Sequence, residues 1–266
     1  MSQVIKLSSA ATAQFWEIPI LFEDQHLLAV DKPAGLPVSP DRHAPARVSL
    51  MDLLHRDLAR GASWARARGL AYLMNTHRLD YEAGGVLLLA KDKPSLVALA
   101  AQFGAEKPLQ LCLALVRGAA ASPDFLCEAG LAPHPLRPGY VRVDWRKGKR
   151  ARTQFSVRES FRGFLLLECR PLTGRPHQIR AHLKHLRLPM VGDDLYGGSP
   201  LMLSALKPGY RLKPGRTERP LICRPALHAA ELVIRPPGAE QAVTIRAPWP
   251  KDLSVAVKYL RRYAAP

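Results

Sequence analysis

Apolar residues fall in short blocks along the chain, and the spacing inside each block predicts its element. In ILFEDQHLLAVDKPAGLPVSP (20–40), two apolar runs flank Glu23-Asp24 and lead into Pro and Gly, which predicts two short strands and a loop. Apolar residues at helical spacing predict a helix over VSLMDLLHRDLAR (48–60). GVLLLAKDKP (85–94) predicts a buried strand, and Pro94 opens a helix over SLVALAAQF. LQLCLALVRG (109–118) predicts a strand closed by Gly118. RTQFSVRES and FLLLECRPL predict a strand pair turning at Gly163, followed by a helix over PHQIRAHLKHLR (176–187) with Pro176 in its first turn. ALHAAELVI and AVTIRAP predict late strands, and DLSVAVKYLRRY a carboxy-terminal helix. Strands cluster with few intervening helices, so the expected class is α+β: a mixed, mainly antiparallel central sheet with flanking helices. Residues 1–18 carry little pattern and are expected to extend a single domain over 19–266. Residues 199–220, rich in Pro, Lys and Arg, are expected to be an exposed loop insertion, and the chain is taken to hold no repeats.

Composition adds a partner class. The 266 residues are 47% hydrophobic, enough for one large core or two small ones. Lys and Arg number 39 against 22 Asp and Glu, a formal charge of +17. Such a balance points to a polyanion, RNA or DNA. An anionic membrane is the other candidate, but there is no strongly amphipathic basic helix with bulky aromatics and no apolar stretch of spanning length. Cys112, Cys127, Cys169 and Cys223 include no C-x-x-C pair, which fits reduced thiols. With no signal-like apolar run at the start, a soluble, cytoplasmic protein is expected.

Two stretches carry candidate chemistry. On the helix after Arg175, Ile179, Leu183 and Leu186 share one face, and His177, Arg180, Lys184 and Arg187 form a basic stripe on another. A solvated face is the ordinary reading of such a stripe. The stripe has no acid at i+4, however, and it follows a Thr173-Gly174 turn where a helix start offers N–H groups to a phosphate. His177, His182 and His185 lack the H-E-x-x-H arrangement, so metal binding is the weaker reading; a P-loop and a G-x-S-x-G elbow are also missing. The second stretch is NTHRLDYEAGG (75–85). A carboxylate next to a guanidinium stays ionised, so Asp80 suits a nucleophile or base better than an acid. A surface pair with Arg78 is the plain alternative. On a strand, Glu82 would share a face with Asp80, and the pair of carboxylates would allow glycosidic hydrolysis. Gly84-Gly85 reads either as a tight turn or as space for something bulky.

Six ordered segments, AVDKPAGLPV (29–38), HRLDYEAGGVLLLAK (77–91), GKRARTQF (148–155), PLTGRPHQIRAHL (171–183), MVGDDLYGG (190–198) and RPALHAAEL (224–232), resemble the RluA-type pseudouridine synthases. They span roughly residues 20–248. The resemblance implies an α+β catalytic domain without cofactor or metal that isomerises uridine to pseudouridine in structured RNA, ribosomal or transfer. It also implies a stand-alone catalytic domain, with no separate S4-type RNA-binding domain before residue 20, and a monomer is expected. Carried over by position, the catalytic aspartate falls on Asp80 and the arginine that ion-pairs with it on Arg180. Arg78 matches the arginine that fills the gap left by the flipped base. Cys112, His177 and Lys184 complete the expected substrate-binding set. Two departures stand out: Ala83-Gly84-Gly85 replaces Thr-Ser-Gly, and Cys112 replaces a tyrosine that packs on the base. Tyr81 and Tyr196 are candidate replacement rings, and Gly84-Gly85 is expected to leave room for the nucleotide. The rival readings are a weakened or inactive RNA-binding relative, which Cys112 would allow, and a nucleic-acid glycosylase using Glu82.

Overall fold

The computed structural model describes residues 3–9, 12–41, 44–105 and 108–266. Its elements begin with β1 (Val4–Ser9), β2 (Gln14–Glu23), β3 (Leu27–Lys32), α1 (Leu50–Ala59), α2 (Ser63–Arg66), β4 (Met74–Asn75), β5 (Gly84–Ala90) and α3 (Lys93–Ala105). They continue with β6 (Leu109–Arg117), β7 (Asp124–Glu128), β8 (Leu131–Pro133), β9 (Val141–Val143), β10 (Arg152–Phe161), β11 (Phe164–Pro171) and α4 (Gln178–His185). The last are β12 (Leu227–Ile234), β13 (Val243–Arg246) and α5 (Lys251–Tyr263). The result is the expected α+β class. No helix among the described residues is long and apolar enough to cross a membrane.

The chain divides into two compact units. The first comprises Met1–Gln110 and Ala229–Pro248, the second Leu111–His228 and Trp249–Pro266. In the first unit the strand order is β1-β2-β3-β5-β12, with β13 on β12 and β4 on β5. β3 and β5 run antiparallel, Leu27 opposite Ala90 and Lys32 opposite Gly85. Their apolar runs, broken only at Asp31-Lys32, are explained by burial on both faces. Leu28, Val30, Leu87 and Leu89 pack with Leu50, Leu53 and Leu54 of α1. Leu27, Ala29, Val86, Leu88 and Ala90 pack with Leu99 of α3 and with Leu232 and Ile245. A capping box starts α1: Ser49 Oγ accepts from the Asp52 N–H, and the Asp52 carboxylate accepts from the Ser49 N–H.

The amino-terminal residues carry regular structure. Residues 4–9 and 14–23 form an antiparallel pair, Val4 opposite Pro19, in which Ile5, Leu7 and Ile18 are fully buried. Ile5 and Leu7 alternate with the polar Lys6 and Ser8, a two-residue period too short in β1 to stand out beside an unpatterned start.

The second unit holds the order β6-β11-β10-β7 and a separate β8-β9 pair. β10 and β11 turn where expected, with Gly163 at φ 76°. Residues 203–220 carry no regular element, and most of that stretch is exposed.

Candidate functional site

Asp80 belongs to the first unit and begins a β-turn: the Ala83 N–H donates to Asp80 O at 3.1 Å. Aspartate suits the first position of such a turn. The strand β5 begins only at Gly84, so Asp80 and Glu82 do not alternate on a strand face, and the paired-carboxylate geometry expected from a strand is not formed. Asp80, Tyr81 and Glu82 are half-buried and Arg78 is exposed.

The turn is anchored from three sides. The Gly35 N–H donates to Tyr81 O at 2.9 Å, and the Arg47 guanidinium lies 4.1 Å from the Tyr81 ring centre. His77 accepts the Leu88 N–H on Nε2 at 3.1 Å and stacks on Phe103 at 5.1 Å. Burial pushes its pKa down to about 4, so the ring is neutral at physiological pH and serves as an acceptor. Lys32 is fully buried, and its Nζ donates to Pro33 O and Leu36 O, both at 2.8 Å, shaping the loop that meets the glycines.

The two glycines hold no space for a nucleotide. A Cβ on Gly84 would stand 2.9 Å from Lys32 O, and one on Gly85, at φ +117°, only 2.1 Å from Ala229 O. The chain's own backbone occupies what was expected to be a ligand's room. Glycine is required for close approach.

The second unit brings His177, Arg180 and Lys184 together, but not as a solvated stripe. Arg180 is 1% exposed, and its Nε and Nη2 donate to Asp193 Oδ2 and Oδ1 at 2.7 and 2.8 Å, with Asp193 itself fully buried. Asp193, an acid that balances this arginine, lies off the helix, beyond the reach of i+4 spacing. Tyr196, 1% exposed, lies under the guanidinium at 5.1 Å and stacks on Tyr140 at 4.4 Å. The Tyr196 hydroxyl accepts from the Val141 N–H at 3.2 Å and sits 3.1 Å from His177 Nδ1. Lys184 is exposed, and its Nζ donates to the Tyr140 hydroxyl at 3.1 Å. Tyr196 is thus a packed support for Arg180 and cannot serve as a ring swung onto a base.

The helix start also differs from expectation. Pro176 precedes α4, His177 is its N-cap at φ 48°, and no side chain caps it. The Arg175 N–H instead donates to Gln178 Oε1 at 3.2 Å. His182 is buried between Thr153 Oγ1 at 2.9 Å and Ala129 O at 3.0 Å. Among the described residues no group of three or more His, Cys, Asp or Glu is placed to hold a metal ion.

Asp193 is positioned by glycine packing. Cβ atoms on Gly192 and Gly198 would stand 2.0 Å from Arg224 O and 1.7 Å from Met190 O. Arg224 is held in turn by Asp252, Nε to Oδ2 at 2.7 Å. The segments MVGDDLYGG and RPALHAAEL therefore interlock. Cys112 is 7% exposed on β6, directly opposite the fully buried Cys169 of β11. Burial raises the Cys169 thiol well above its ordinary pKa. Asp193, Tyr140, Lys32 and His77 are the residues that the sequence left without a role; all but Tyr140 lie inside the six segments named above.

A family model described as RNA pseudouridylate synthase matches residues 26–185, more than half of the chain. The ribosomal large subunit pseudouridine synthase D of Xylella fastidiosa is 36% identical over 96% of this chain and 73% of its own length. The ribosomal large subunit pseudouridine synthase C of Salmonella typhi is 34% identical over 92% of this chain and 70% of its own. Among solved structures, human RNA pseudouridylate synthase domain containing 4 shares the fold, with a TM-score of 0.66 at 22% identity, covering 91% of this chain and 92% of the human one.

Proposed function

Because this chain belongs to the RluA-type RNA pseudouridine synthases, enzymes that isomerise uridine to pseudouridine, we propose that its substrate is ribosomal RNA and that Asp80 carries the chemistry. The relatives named above support the choice of RNA, since both carry ribosomal large-subunit names. The reaction breaks a C–N glycosidic bond, turns the uracil and forms a C–C bond. The Asp80 carboxylate attacks or deprotonates the ribose portion, and no hydrolytic water enters. A second catalytic carboxylate is therefore unnecessary, which removes the motive for a glycosylase using Glu82. The relatives are enzymes, and they lend no support to a non-catalytic RNA binder.

The observation that carries the role of Asp80 is its setting: a half-buried carboxylate at the first position of a turn whose following strand is locked by Gly84, Gly85 and His77. Such a turn holds a nucleophile at a fixed place while a flipped nucleotide is presented to it. Arg78, exposed next to it, would occupy the space left by the extruded base. Arg180, His177 and Lys184 would bind the RNA backbone, with Arg180 held rigid by Asp193 and Tyr196.

The test is Asp80→Asn, assayed for pseudouridine on a large-subunit ribosomal RNA transcript. Pseudouridine formation should vanish while RNA affinity stays within a few-fold of the parent. Modification at the normal rate would refute the assignment.

A further inference from the structure

The loop over residues 203–219 is built more regularly than an insertion needs. Leu206-Lys207-Pro208-Gly209-Tyr210-Arg211 is followed at once by Leu212-Lys213-Pro214-Gly215-Arg216-Thr217, a tandem repeat of Leu-Lys-Pro-Gly. Each copy folds into the same turn. The Tyr210 N–H donates to Lys207 O at 3.2 Å, and the Arg216 N–H to Lys213 O at 3.1 Å. Gly209 and Gly215 sit at φ +64° and +72°. Proline second and a positive-φ glycine third is the pattern of a type II turn. Both residues restrict or match the backbone in advance, so little further ordering is needed when a ligand arrives.

The base of the loop is fixed as well. Leu201 is fully buried and pairs with Ile222 through Leu201 N–H to Ile222 O at 3.1 Å and Leu221 N–H to Leu201 O at 2.7 Å. The loop's one acid, Glu218, accepts from the Ser204 hydroxyl and from the Ser204 N–H, the latter at 2.8 Å; these bonds lower its pKa and brace one side of the loop to the other. Lys207, Arg211, Lys213, Arg216 and Arg219 are all exposed, and among the described residues none of them forms an ion pair. Elsewhere exposed arginines do find carboxylates, as Arg246 with Glu231 and Arg261 with Glu159. A loop serving solubility alone needs neither preset turns nor unpaired cations on repeated positions.

We propose that this loop grips the RNA backbone, with Lys207, Arg211, Lys213 and Arg216 contacting phosphates. The proposal rests on the RNA-substrate reading above and names a binding surface for it. The residues leading into the loop meet the segment that carries Asp193, since the Gly192 N–H donates to Ser199 O at 2.8 Å. Strand held by the loop is thereby tethered to the same segment that fixes Arg180.

The experiment measures RNA affinity of the full chain against salt, using a large-subunit ribosomal RNA transcript. One variant carries Gln at Lys207, Arg211, Lys213 and Arg216; a control carries Gln at Lys251, Lys258, Arg261 and Arg262 of α5. Each lost phosphate contact lowers the log–log slope by about 0.7–0.9, so the loop variant should lose about 3 from the slope. It should also bind at least tenfold more weakly at physiological salt, with an unchanged rate at saturating RNA. Lys213→Gln alone should lower the slope by about 0.7–0.9, and a variant exchanging Lys for Arg and Arg for Lys at all four positions should keep it. A loop variant with parental slope and affinity would overturn the proposal, as would a control that loses as much slope as the loop variant. Failure of the wild type to bind or modify the transcript would refute the RNA reading itself, a result distinct from a wild type that works and a loop variant that matches it.

Discussion

Arg180 and Asp193 form a two-point ion pair, Nε to Oδ2 at 2.7 Å and Nη2 to Oδ1 at 2.8 Å, with both side chains out of contact with solvent. A buried pair of this kind is costly to break from one side, because the survivor is left as a buried charge. Asp193→Ala should destabilise the protein by about 3–5 kcal/mol in urea unfolding, and Arg180→Lys, which keeps the charge but loses the fork, by less. Equal stability of Asp193→Ala and the parent would mean that the pair relaxes to water.

The glycines that follow the Asp80 turn divide sharply from others by what surrounds them. Gly85→Ala puts a methyl 2.1 Å from Ala229 O at φ +117°, so backbone must move, whereas Gly163→Ala meets nothing within 4 Å and bears only the strain of φ +76°. Gly163→Ala should cost about 1–2 kcal/mol. Gly85→Ala should exceed that and also depress pseudouridine formation, since the turn would shift with it. Melting curves of the two variants, read beside their activities, decide the matter.

His77 gives the fold a pH dependence of definite sign. Its pKa falls from the ordinary 6.5 to about 4 in the folded protein, through burial. The unfolded chain takes the proton first, so stability is full above about 6.5, falls as pH drops toward 4, and levels below. The swing is about 3 kcal/mol, since a difference of one in pKa between folded and unfolded chain is worth about 1.4 kcal/mol. Chemical denaturation of the parent and of His77→Gln between pH 4 and 7 should show the parent's advantage shrinking over that window. A constant advantage would show that the ring does not stay neutral.

Cys112 is the departure with a kinetic signature. If the side chain faces the uracil as the family tyrosine does, a thiol supplies little stacking, a contribution of roughly 1–3 kcal/mol per base. Cys112→Tyr should raise kcat/KM about tenfold or more, provided the ring finds room beside Cys169. Lower activity with lower stability would mean that the pocket is built around the thiol. Tyr196 is not a rival in this test, being stacked on Tyr140 and buried.

The strands and helices with strong periodicity were legible. The runs at 27–32 and 85–90 are strands because alternate side chains reach two different apolar layers, and the apolar run is broken only near the end of β3. β1 was not legible, because six residues of alternation carry a weak signal. The carboxylate of interest, Asp80, could be found from its motif. The inversion of the basic stripe could not. Helical spacing says which residues share a face, but only the fold says that Asp193 comes to meet Arg180 and so turns a solvated position into a core one. Gly84-Gly85 was ambiguous for the same reason: a sequence cannot say whether the empty Cβ position is filled by ligand or by Ala229.

The contact of Gly85 with Ala229 also bears on how the protein is made. β5 emerges from the ribosome early, but Ala229 and the rest of its neighbour β12 in the first unit are synthesised only after all of residues 111–228. Until then the first unit is an incomplete sheet with an open apolar edge, the state most prone to pairing with the wrong strand. The turn that presents Asp80 therefore matures late in synthesis, and a nascent chain halted before Ala229 would hold the motif but lack the backbone that seats it.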